Sequence, residues 1–463
     1  GIMKGRIMER RTFLKTAGVA GALTMAAQAD ARAAGGERRP NIILYITDDQ
    51  GMNDAGCYGH PLARTPGLDA LAAEGMRFTS AYCVCASCSP SRSVLLTGMH
   101  PHANGQYGLA HAKHNFASFE NVQSLPNLLR DAGYRTLCVG KYHVRPEPAY
   151  HFDEYIKVMA PDKMAEAARP FIAAADDRPF FLNFNTVEPH RPFHRDGAAT
   201  VSPDAVPVPE YLPDIPECRE ELAEYLASIE RADQGLARLI DILKAAGHWD
   251  DTVMVFVSDN GAPFPGAKTT VYEPGLRLPC VARDPANAQQ GVVSDAMISF
   301  ADITPTLLDY AGATPKNPQF QGRSFRSILQ GADPGADWDE IYASHTFHEV
   351  TMYYPMRMVR TRRHKLIWNI AHGLPYPFAS DLWNSKTWQA VMQRGLTHYG
   401  KRSLDAYIHR PRFELYDLET DPDEVVNLAS DPAHAGLLAQ LHQKLRAFQE
   451  RTRDPWILKW DRE

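Results

Sequence analysis

Four short segments of the chain are apolar throughout, without the alternation of a half-exposed strand. They cover residues 41–47, 136–140, 179–185 and 252–258. Continuous apolar runs of this length are typical of strands that helices cover on both faces. We therefore predict that these segments form the inner strands of a large, mostly parallel β-sheet.

Helical patterns lie between the predicted strands. Two of them, 66–75 and 126–133, begin with proline and end at glycine, as helices often do. A longer amphipathic pattern ends at Gly247. Because strands and helices alternate, we predict an α/β domain at residues 40–340, with helices flanking the sheet.

The pattern changes after about residue 340. Segments 356–370 and 412–424 resemble antiparallel strands with polar edges, and 437–454 has the pattern of a closing amphipathic helix. We predict a smaller C-terminal α+β subdomain with an antiparallel sheet at residues 341–463. Since no Gly/Ser-rich linker precedes it, we expect it to pack against the α/β domain.

Residues 1–33 have the pattern of a twin-arginine export signal. Arg10 and Arg11 precede a mildly apolar run, and an A-x-A pattern at Ala33 offers a cleavage site. We therefore expect a periplasmic or secreted protein, with a frayed amphipathic helix as the alternative. Beyond residue 40, no segment is long and apolar enough to cross a bilayer.

The overall charge restricts the class of partner. The net charge is -6 and the isoelectric point is near 6.3. A nucleic-acid-binding protein normally has a basic face, so we expect no nucleic-acid partner. A few local cations can still hold an anionic substrate. Composition leaves the oligomeric state open, and an oligomer is possible.

Polar side chains follow each of the four predicted strands. In open parallel sheets, ligands bind beyond the carboxyl ends of the strands, and these ends share one edge. A single acidic pair after a strand is often only a turn or a helix cap. Four strands that all deliver such groups predict a functional site. The groups are Asp48, Asp49, Lys141, His143, His190, Asp259 and Asn260.

Two of these strand ends are followed by residues with side-chain oxygen ligands. Asp48 and Asp49 follow one strand, and Asp259 and Asn260 follow another. Hard oxygen ligands select Ca²⁺ or Mg²⁺ over zinc. Three neighbouring carboxylates also need a cation, since they otherwise repel one another. We predict a divalent cation here and favour Ca²⁺, which accepts carboxylate-rich and irregular shells. Mg²⁺ or Mn²⁺ is the alternative.

Cys88 has unusual neighbours. Pro90 can occupy the first turn of a helix, which would place Cys88 at the helix N-terminus and Arg92 about one turn further on. Seven cysteines leave at least one thiol unpaired. Cys83, Cys85 and Cys88 are close in sequence, but no second cluster follows at zinc-finger spacing. The residues alone are compatible with a packed thiol, a disulfide, a metal ligand or a nucleophile.

The segment CSPSRSVLLTG at 88–98 resembles the signature of type I sulfatases, in which the cysteine is oxidised to formylglycine. The blocks TDDQG, GKYH, EPHRP and SDNG resemble other sulfatase blocks in the same order, over nearly all of residues 40–460. Within the family, HEVTMYYPMR at 348–357 resembles the sulfamidases, the N-sulfoglucosamine sulfohydrolases. The resemblance implies an alkaline-phosphatase-like sulfatase fold. It also implies hydrolysis of the N-sulfate of glucosamine residues in heparin or heparan-type glycans.

The resemblance also implies a role for each matched residue. A formylglycine-generating enzyme would convert Cys88, whose hydrate would attack sulfur. Arg92 and Lys141 would steady this nucleophile, and His143 would be the base that breaks down the sulfated hydrate. His190 and Lys268 would bind sulfate, with His190 the proton donor to the leaving nitrogen. The implied metal ligands are Asp48, Asp49, Cys88, Asp259 and Asn260.

One position departs from the sulfamidase pattern. Sulfamidases often carry arginine where this chain has Lys268, and lysine there is usual in O-sulfatases. An O-sulfatase on a sugar or aryl ester is therefore the main alternative function. A phosphonate or phosphate monoester hydrolase of the same fold and a glycan-binding module with an unconverted cysteine are the others. His348, Glu349 and Arg357 either line the sugar pocket or belong to hydrogen-bonded structure.

Overall fold

The structure is a computed structural model that describes residues 38–193, 201–287 and 289–462; the predicted export signal at 1–33 lies outside this part of the chain. Its strands are β1 (Asn41–Thr47), β2 (Met76–Phe78), β3 (Ala81–Tyr82), β4 (Arg135–Gly140), β5 (Glu154–Ile156), β6 (Phe180–Asn185), β7 (Thr252–Ser258), β8 (Cys280–Arg283), β9 (Val292–Ser294), β10 (Ile298–Ser299), β11 (Glu340–His345), β12 (Met356–Thr361), β13 (His364–Asn369), β14 (His398–Tyr399), β15 (Arg402–Ser403) and β16 (Phe413–Asp417).

An eight-stranded sheet carries the site, in the order β5-β4-β6-β1-β7-β8-β2-β9. The inner neighbours β4, β6, β1 and β7 run parallel, with Ile42 paired to Phe181 on one side and to Val253 on the other. Strand β8 pairs antiparallel with both β7 and β2. The prediction of a mostly parallel sheet is confirmed, and the four predicted segments are four adjacent strands.

Helices cover both faces of this sheet. Ile42 and Leu44 of β1 pack into the core on one face, and Ile43 and Tyr45 pack into the core on the other. Both sets are buried, which explains why β1 shows no alternation of apolar and polar residues. The α-helices are Pro66–Glu74, Cys88–Thr97, Pro101–Asn104, Leu125–Asp131, Pro161–Ile172, Pro216–Ala245, Glu273–Leu276, Ile303–Ala311, Arg326–Leu329, Ser380–Trp383, Lys386–Gln393, Leu404–Ile408 and Ala435–Thr452.

The C-terminal part contains an antiparallel sheet of four strands in the order β11-β12-β13-β16. Leu441 and Leu445 of the helix Ala435–Thr452 pack on this sheet against Val359. Trp368 stacks on Trp460 with ring centroids 3.9 Å apart. The predicted antiparallel sheet and closing helix are therefore present.

From residue 40 onward, the described part of the chain forms one compact unit, as expected for a chain without a flexible linker before its C-terminal sheet. Among the described residues, no helix has both the length and the apolar character of a membrane span.

Candidate active site

The order of the strands brings the predicted polar groups together. Strands β4, β6, β1 and β7 are consecutive neighbours and run in the same direction, so the loops after them leave from one edge. The backbone amides of Asp48 and Asp259 bond to carbonyls of neighbouring strand ends and loops, Glu188 and Thr47, at 3.2 and 3.0 Å. Four segments that are distant in sequence therefore meet in one site.

Oxygen ligands line the centre of the site. The amide of Asn260 donates from Nδ2 to Oδ1 of Asp49 at 2.7 Å, and the backbone amide of Asp49 donates to Oδ1 of Asp259 at 3.1 Å. Asp48, Asp49, Asp259 and Asn260 are all fully buried. Within the described residues, Oδ1 of Asn260 is buried without a hydrogen-bond partner. Buried carboxylates and a free amide oxygen fit a hard divalent cation.

The charges of these carboxylates depend strongly on their neighbours. Burial alone would raise the pKa of Asp48, but the cations around it, led by Lys141, hold that pKa well below its usual range. Burial and the adjacent Asp48 raise the pKa of Asp259 to about 7. Neighbouring carboxylates in a buried site cannot all ionise cheaply without further positive charge. This is the electrostatic situation that a bound cation relieves.

Cys88 lies directly beside this cluster. It is the first residue of the buried helix Cys88–Thr97, and its Sγ is 3.5 Å from Oδ1 of Asp48 and 4.0 Å from Oδ1 of Asp49. Burial raises the pKa of the Cys88 thiol well above its usual value. An unmodified Cys88 is therefore a neutral thiol and a weak nucleophile. All seven cysteines are free, which excludes the disulfide alternative in this structure.

Arg92 and Lys141 provide fixed positive charge around Cys88. Arg92 donates from Nε to Oδ2 of Asp259 at 2.9 Å and from Nη1 to Oδ1 of Asn185 at 3.0 Å. Lys141 donates from Nζ to Oδ2 of Asp48. Asn185 is the last residue of β6. The sequence gives no signal for its contact with Arg92, because Asn185 belongs to the apolar segment that predicts the strand.

Lys268 and His190 form a second group of charges beside Asp49. Nζ of Lys268 lies 2.8 Å from Oδ2 of Asp49, 2.8 Å from Oδ2 of Asp381 and 3.2 Å from Nε2 of His190. Lys268 is buried, whereas His190 and Asp381 are partly exposed. The sequence pattern gives no signal for Asp381, because this residue lies on a four-residue helix that follows no strand of the large sheet.

His143 is held by another histidine. Nε2 of His143 is 2.5 Å from Nδ1 of His111, which is exposed. Burial, and then Lys141 and Arg92, lower the pKa of His143 well below its usual value. The imidazole is therefore neutral and able to accept a proton. Nothing in the sequence pattern connected His111 with His143.

The three candidate sugar-binding residues differ in position. His348 is buried and its Nδ1 is 2.8 Å from Oγ of Ser87, directly before Cys88. Glu349 accepts hydrogen bonds at Oε1 from the backbone amide and the hydroxyl of Ser380, at 2.7 and 2.6 Å. His348 therefore lies against the site, and Glu349 supports the segment that carries Asp381.

Arg357 has structural contacts instead. Its Nε and Nη2 donate to the two carboxylate oxygens of Asp454, at 2.6 and 3.0 Å, and its guanidinium lies over the ring of Trp456. The remaining nitrogen, Nη1, donates a hydrogen bond to the backbone carbonyl oxygen of Met356 at 2.9 Å. The side chain is buried, so these contacts favour the structural alternative that the sequence left open for Arg357.

Comparisons with known proteins agree with this fold. The family model described as Sulfatase matches residues 40–313, which is more than half of the chain. The chain therefore belongs to the sulfatase family, and it is an enzyme that hydrolyses sulfate esters or sulfamates. A second model, described as N-sulphoglucosamine sulphohydrolase, C-terminal, matches residues 267–374.

Individual relatives show which sulfatases this chain is similar to in sequence. The chain is 37% identical to the human N-sulphoglucosamine sulphohydrolase, over 91% of this chain and 92% of that protein. It is 30% identical to an ulvan-active sulfatase of Formosa agariphila, over 87% of this chain and 78% of that protein.

Solved structures share the fold at lower sequence identity. One is a protein in complex with its substrate D-glucosamine-2-N,6-O-disulfate, with a TM-score of 0.68 and 23% identity over 90% of this chain and 98% of that one. Another is a phosphonate monoester hydrolase of Agrobacterium radiobacter, with a TM-score of 0.67 and 19% identity over 89% of this chain and 96% of that one. The predicted alkaline-phosphatase-like sulfatase fold is confirmed.

Proposed function

We propose that this enzyme is a sulfamidase, which removes the N-sulfate from glucosamine residues of heparin or heparan-type glycans. The observation that carries the proposal is the 37% identity to the human N-sulphoglucosamine sulphohydrolase, which extends over 91% of this chain. The match of residues 267–374 to the C-terminal model of that enzyme supports the same assignment. A structural neighbour bound to a glucosamine disulfate is consistent with a sulfated amino sugar as substrate.

Two groups complete the proposed site. Asp48, Asp49, Asp259 and Asn260 would hold Ca²⁺, or alternatively Mg²⁺ or Mn²⁺, which would supply positive charge next to the sulfate. A formylglycine-generating enzyme would convert Cys88 to formylglycine, whose hydrate would supply an oxygen nucleophile where the neutral thiol offers a weak one. Burial of Cys88 beside Asp48 supports this proposal, since a plain thiol gains no reactivity there.

Each charged or titratable side chain around position 88 then has its own role in the reaction. Arg92 and Lys141 keep position 88 in a positively charged setting, which stabilises charge that moves onto sulfate oxygens. Lys268 binds the sulfate, and His190 donates a proton to the leaving nitrogen. His143, which is neutral because of burial and its cationic neighbours, accepts the proton that must leave position 88 when sulfate departs.

A panel of substrates tests the proposed function. Sulfate release is measured from glucosamine N-sulfate, glucosamine 6-O-sulfate and an aryl sulfate, and ester cleavage is measured with a phosphonate monoester. We expect the highest kcat/KM with glucosamine N-sulfate. Faster release from the 6-O-sulfate or the aryl sulfate would favour an O-sulfatase, and preferred turnover of the phosphonate would favour a hydrolase of that class.

The control for this panel is Cys88→Ala, in enzyme coexpressed with a formylglycine-generating enzyme. It should release no sulfate from any substrate, because it offers no oxygen nucleophile. Mass spectrometry of the active wild-type enzyme should find an aldehyde in place of the thiol at position 88. An intact thiol in fully active enzyme contradicts the proposed conversion. Heparin binding without sulfate release from the converted enzyme would indicate a glycan-binding module.

We further propose that the enzyme is exported in folded form by the twin-arginine route and acts in the periplasm or outside the cell. The pattern of Arg10, Arg11 and the small residues up to Ala33 supports this. Cell fractionation of the wild type and of the double variant Arg10→Lys, Arg11→Lys tests it. Equal amounts of both proteins in the periplasm would contradict this route.

A further inference from the structure

Asp381 places a carboxylate beside the two side chains that are proposed to bind the sulfate anion. Its Oδ2 lies 2.8 Å from Nζ of Lys268 and 3.8 Å from Nε2 of His190, the two groups proposed to bind sulfate. The side chain is 22% exposed, whereas Lys268 beneath it is 1% exposed. Asp381 therefore lies on the open side of the group, where a substrate would contact it.

The ammonium of Lys268 is shared between two carboxylates. Asp49 and Asp381 each place an oxygen 2.8 Å from its Nζ, on separate segments of the chain. Asp49, His190 and Asp381 together have the composition of a cation site, and Lys268 already supplies the cation. The group as a whole holds two acids and one fixed cation. Since Asp49 is also a proposed ligand of the divalent cation, Asp381 is the carboxylate that offsets part of the charge that Lys268 offers to a sulfate.

The local structure holds Asp381 in this position. The backbone amide of Leu382 donates to its Oδ1 at 3.0 Å, which leaves Oδ2 directed at Lys268. Ser380 is tied to Glu349 by two hydrogen bonds, and the side chain of Leu382 is buried against Met352. Such support from both neighbours indicates a preorganised group.

A carboxylate beside bound sulfate weakens binding of the sulfate unless the substrate brings a donor or a positive charge. N-sulfated and O-sulfated sugars differ in the charge on the atom that leaves sulfur. The nitrogen of a sulfamate gains a proton while it is still bonded to sulfur, and it carries positive charge until the S–N bond breaks and the bonding pair returns to nitrogen. The departing amine then takes another proton from water. The oxygen of a sulfate ester leaves as a neutral alcohol.

We propose that Asp381 is a specificity-determining residue that binds the positively charged nitrogen of the leaving glucosamine. This rests on the proposed function and states how the site would distinguish N-sulfate from O-sulfate. Charge that appears on nitrogen in the transition state strengthens the interaction with Asp381, which favours the sulfamate. Asp381 takes no part in the other steps. These are the formation of the new S–O bond, the loss of the entering hydroxyl proton to water and the later release of sulfate.

Product binding tests this independently of turnover. Calorimetry with the Ca²⁺-loaded enzyme compares glucosamine, which is a cation, with N-acetylglucosamine, which is neutral. A charge-assisted hydrogen bond contributes about 1.5–3 kcal/mol, so Asp381→Asn should weaken glucosamine binding about 10- to 150-fold. Binding of N-acetylglucosamine should change little. Asp381→Glu keeps the charge and should retain more of the preference than Asp381→Asn.

The matched control is Asp405→Asn, which removes another carboxylate that is exposed and paired only with His409 in the described part of the chain. It should leave both affinities unchanged. Thermal unfolding confirms that each variant is folded. An unchanged ratio of glucosamine to N-acetylglucosamine affinity in Asp381→Asn overturns the proposal.

Kinetics separate this proposal from the proposed function. If the wild type cleaves glucosamine N-sulfate and Asp381→Asn keeps its full kcat/KM, only the role of Asp381 fails. If the wild type does not cleave glucosamine N-sulfate, the proposed function fails. In that case, loss of glucosamine binding in Asp381→Asn still supports an ammonium-binding role, and unchanged binding rejects it.

Discussion

At the scale of single residues, burial determines which groups of the site are charged. Burial favours the neutral form of any group, so it raises the pKa of the Cys88 thiol and lowers the pKa of the His143 imidazole. A neutral thiol is a weak nucleophile, whereas a neutral imidazole can accept a proton. The same physical effect therefore supports modification of Cys88 and the proposed use of His143 as a base.

We predict that His111→Ala lowers kcat about tenfold with little change in KM, because His143 loses the hydrogen bond that orients its ring. His111→Gln, which can still bond to Nε2, should restore part of the rate. Steady-state kinetics with glucosamine N-sulfate measures both. The exposed His409 provides the control variant His409→Ala. An unchanged kcat in His111→Ala would show that His143 does not depend on this contact.

The pH profile follows from the same contacts. Since the pKa of His143 lies below its usual value of about 6.5, its neutral form persists as the pH falls through that value. We expect kcat to be retained at pH 6 and to fall only under more acidic conditions.

At the scale of elements, the helix Cys88–Thr97 shows how local signals position a reactive group. Pro90 lies in its first turn and Gly98 ends it in the left-handed conformation, with φ of 66°. The position of Pro90 predicted from sequence that Cys88 stands at a helix N-terminus, and the structure confirms it. Such boundaries are readable because they depend on the conformations open to proline and glycine at neighbouring positions.

We predict that Gly98→Ala destabilises the protein more than Gly247→Ala. Both glycines have positive φ, which costs alanine about 1–2 kcal/mol. At Gly98 the new Cβ would also lie 2.6 Å from Cβ of Phe320 and 3.0 Å from the carbonyl oxygen of Ala301, whereas at Gly247 no described atom lies within 4 Å. Thermal unfolding midpoints measure the difference. Equal midpoints would show that the helix end absorbs the clash.

At the scale of the whole molecule, a buried ion pair ties the antiparallel sheet to the end of the chain. Arg357 lies on β12 and Asp454 follows the helix Ala435–Thr452. Both side chains are almost fully buried. Removing one partner of such a pair leaves an uncompensated charge in the interior.

Arg357→Ala should therefore lower stability by about 3–5 kcal/mol. The exposed pair of Arg169 with Glu166 is the control, and Arg169→Ala should cost at most about 1 kcal/mol. Chemical denaturation compares the midpoints. Similar losses in the two variants would contradict this account of the buried pair.

The pair also predicts a dependence on pH. Burial alone would raise the pKa of Asp454, but Arg357 holds it well below its usual value. The stabilisation is therefore present above the unfolded pKa of about 3.9 and is lost as the pH falls below it. The stability advantage of the wild type over Asp454→Asn should shrink in that acidic range.

Local patterns in the sequence were enough to predict the inner strands, the helix that begins at Cys88 and most of the charged groups of the candidate site. Each of these depends on neighbouring residues: apolar runs mark buried strands, and polar residues directly after them mark one edge of a parallel sheet. The family signature then assigned chemistry to those positions.

Only the tertiary structure showed the contacts of Asp381, His111 and Arg357. Asp381 reaches Lys268 across 113 residues of sequence, His111 reaches His143 across 32, and Arg357 reaches Asp454 across 97. No local pattern records such contacts, because they depend on how loops and subdomains pack once the strands have assembled. The physical reason is that conformational preferences act between neighbours in sequence, whereas charge pairing and burial act between neighbours in space.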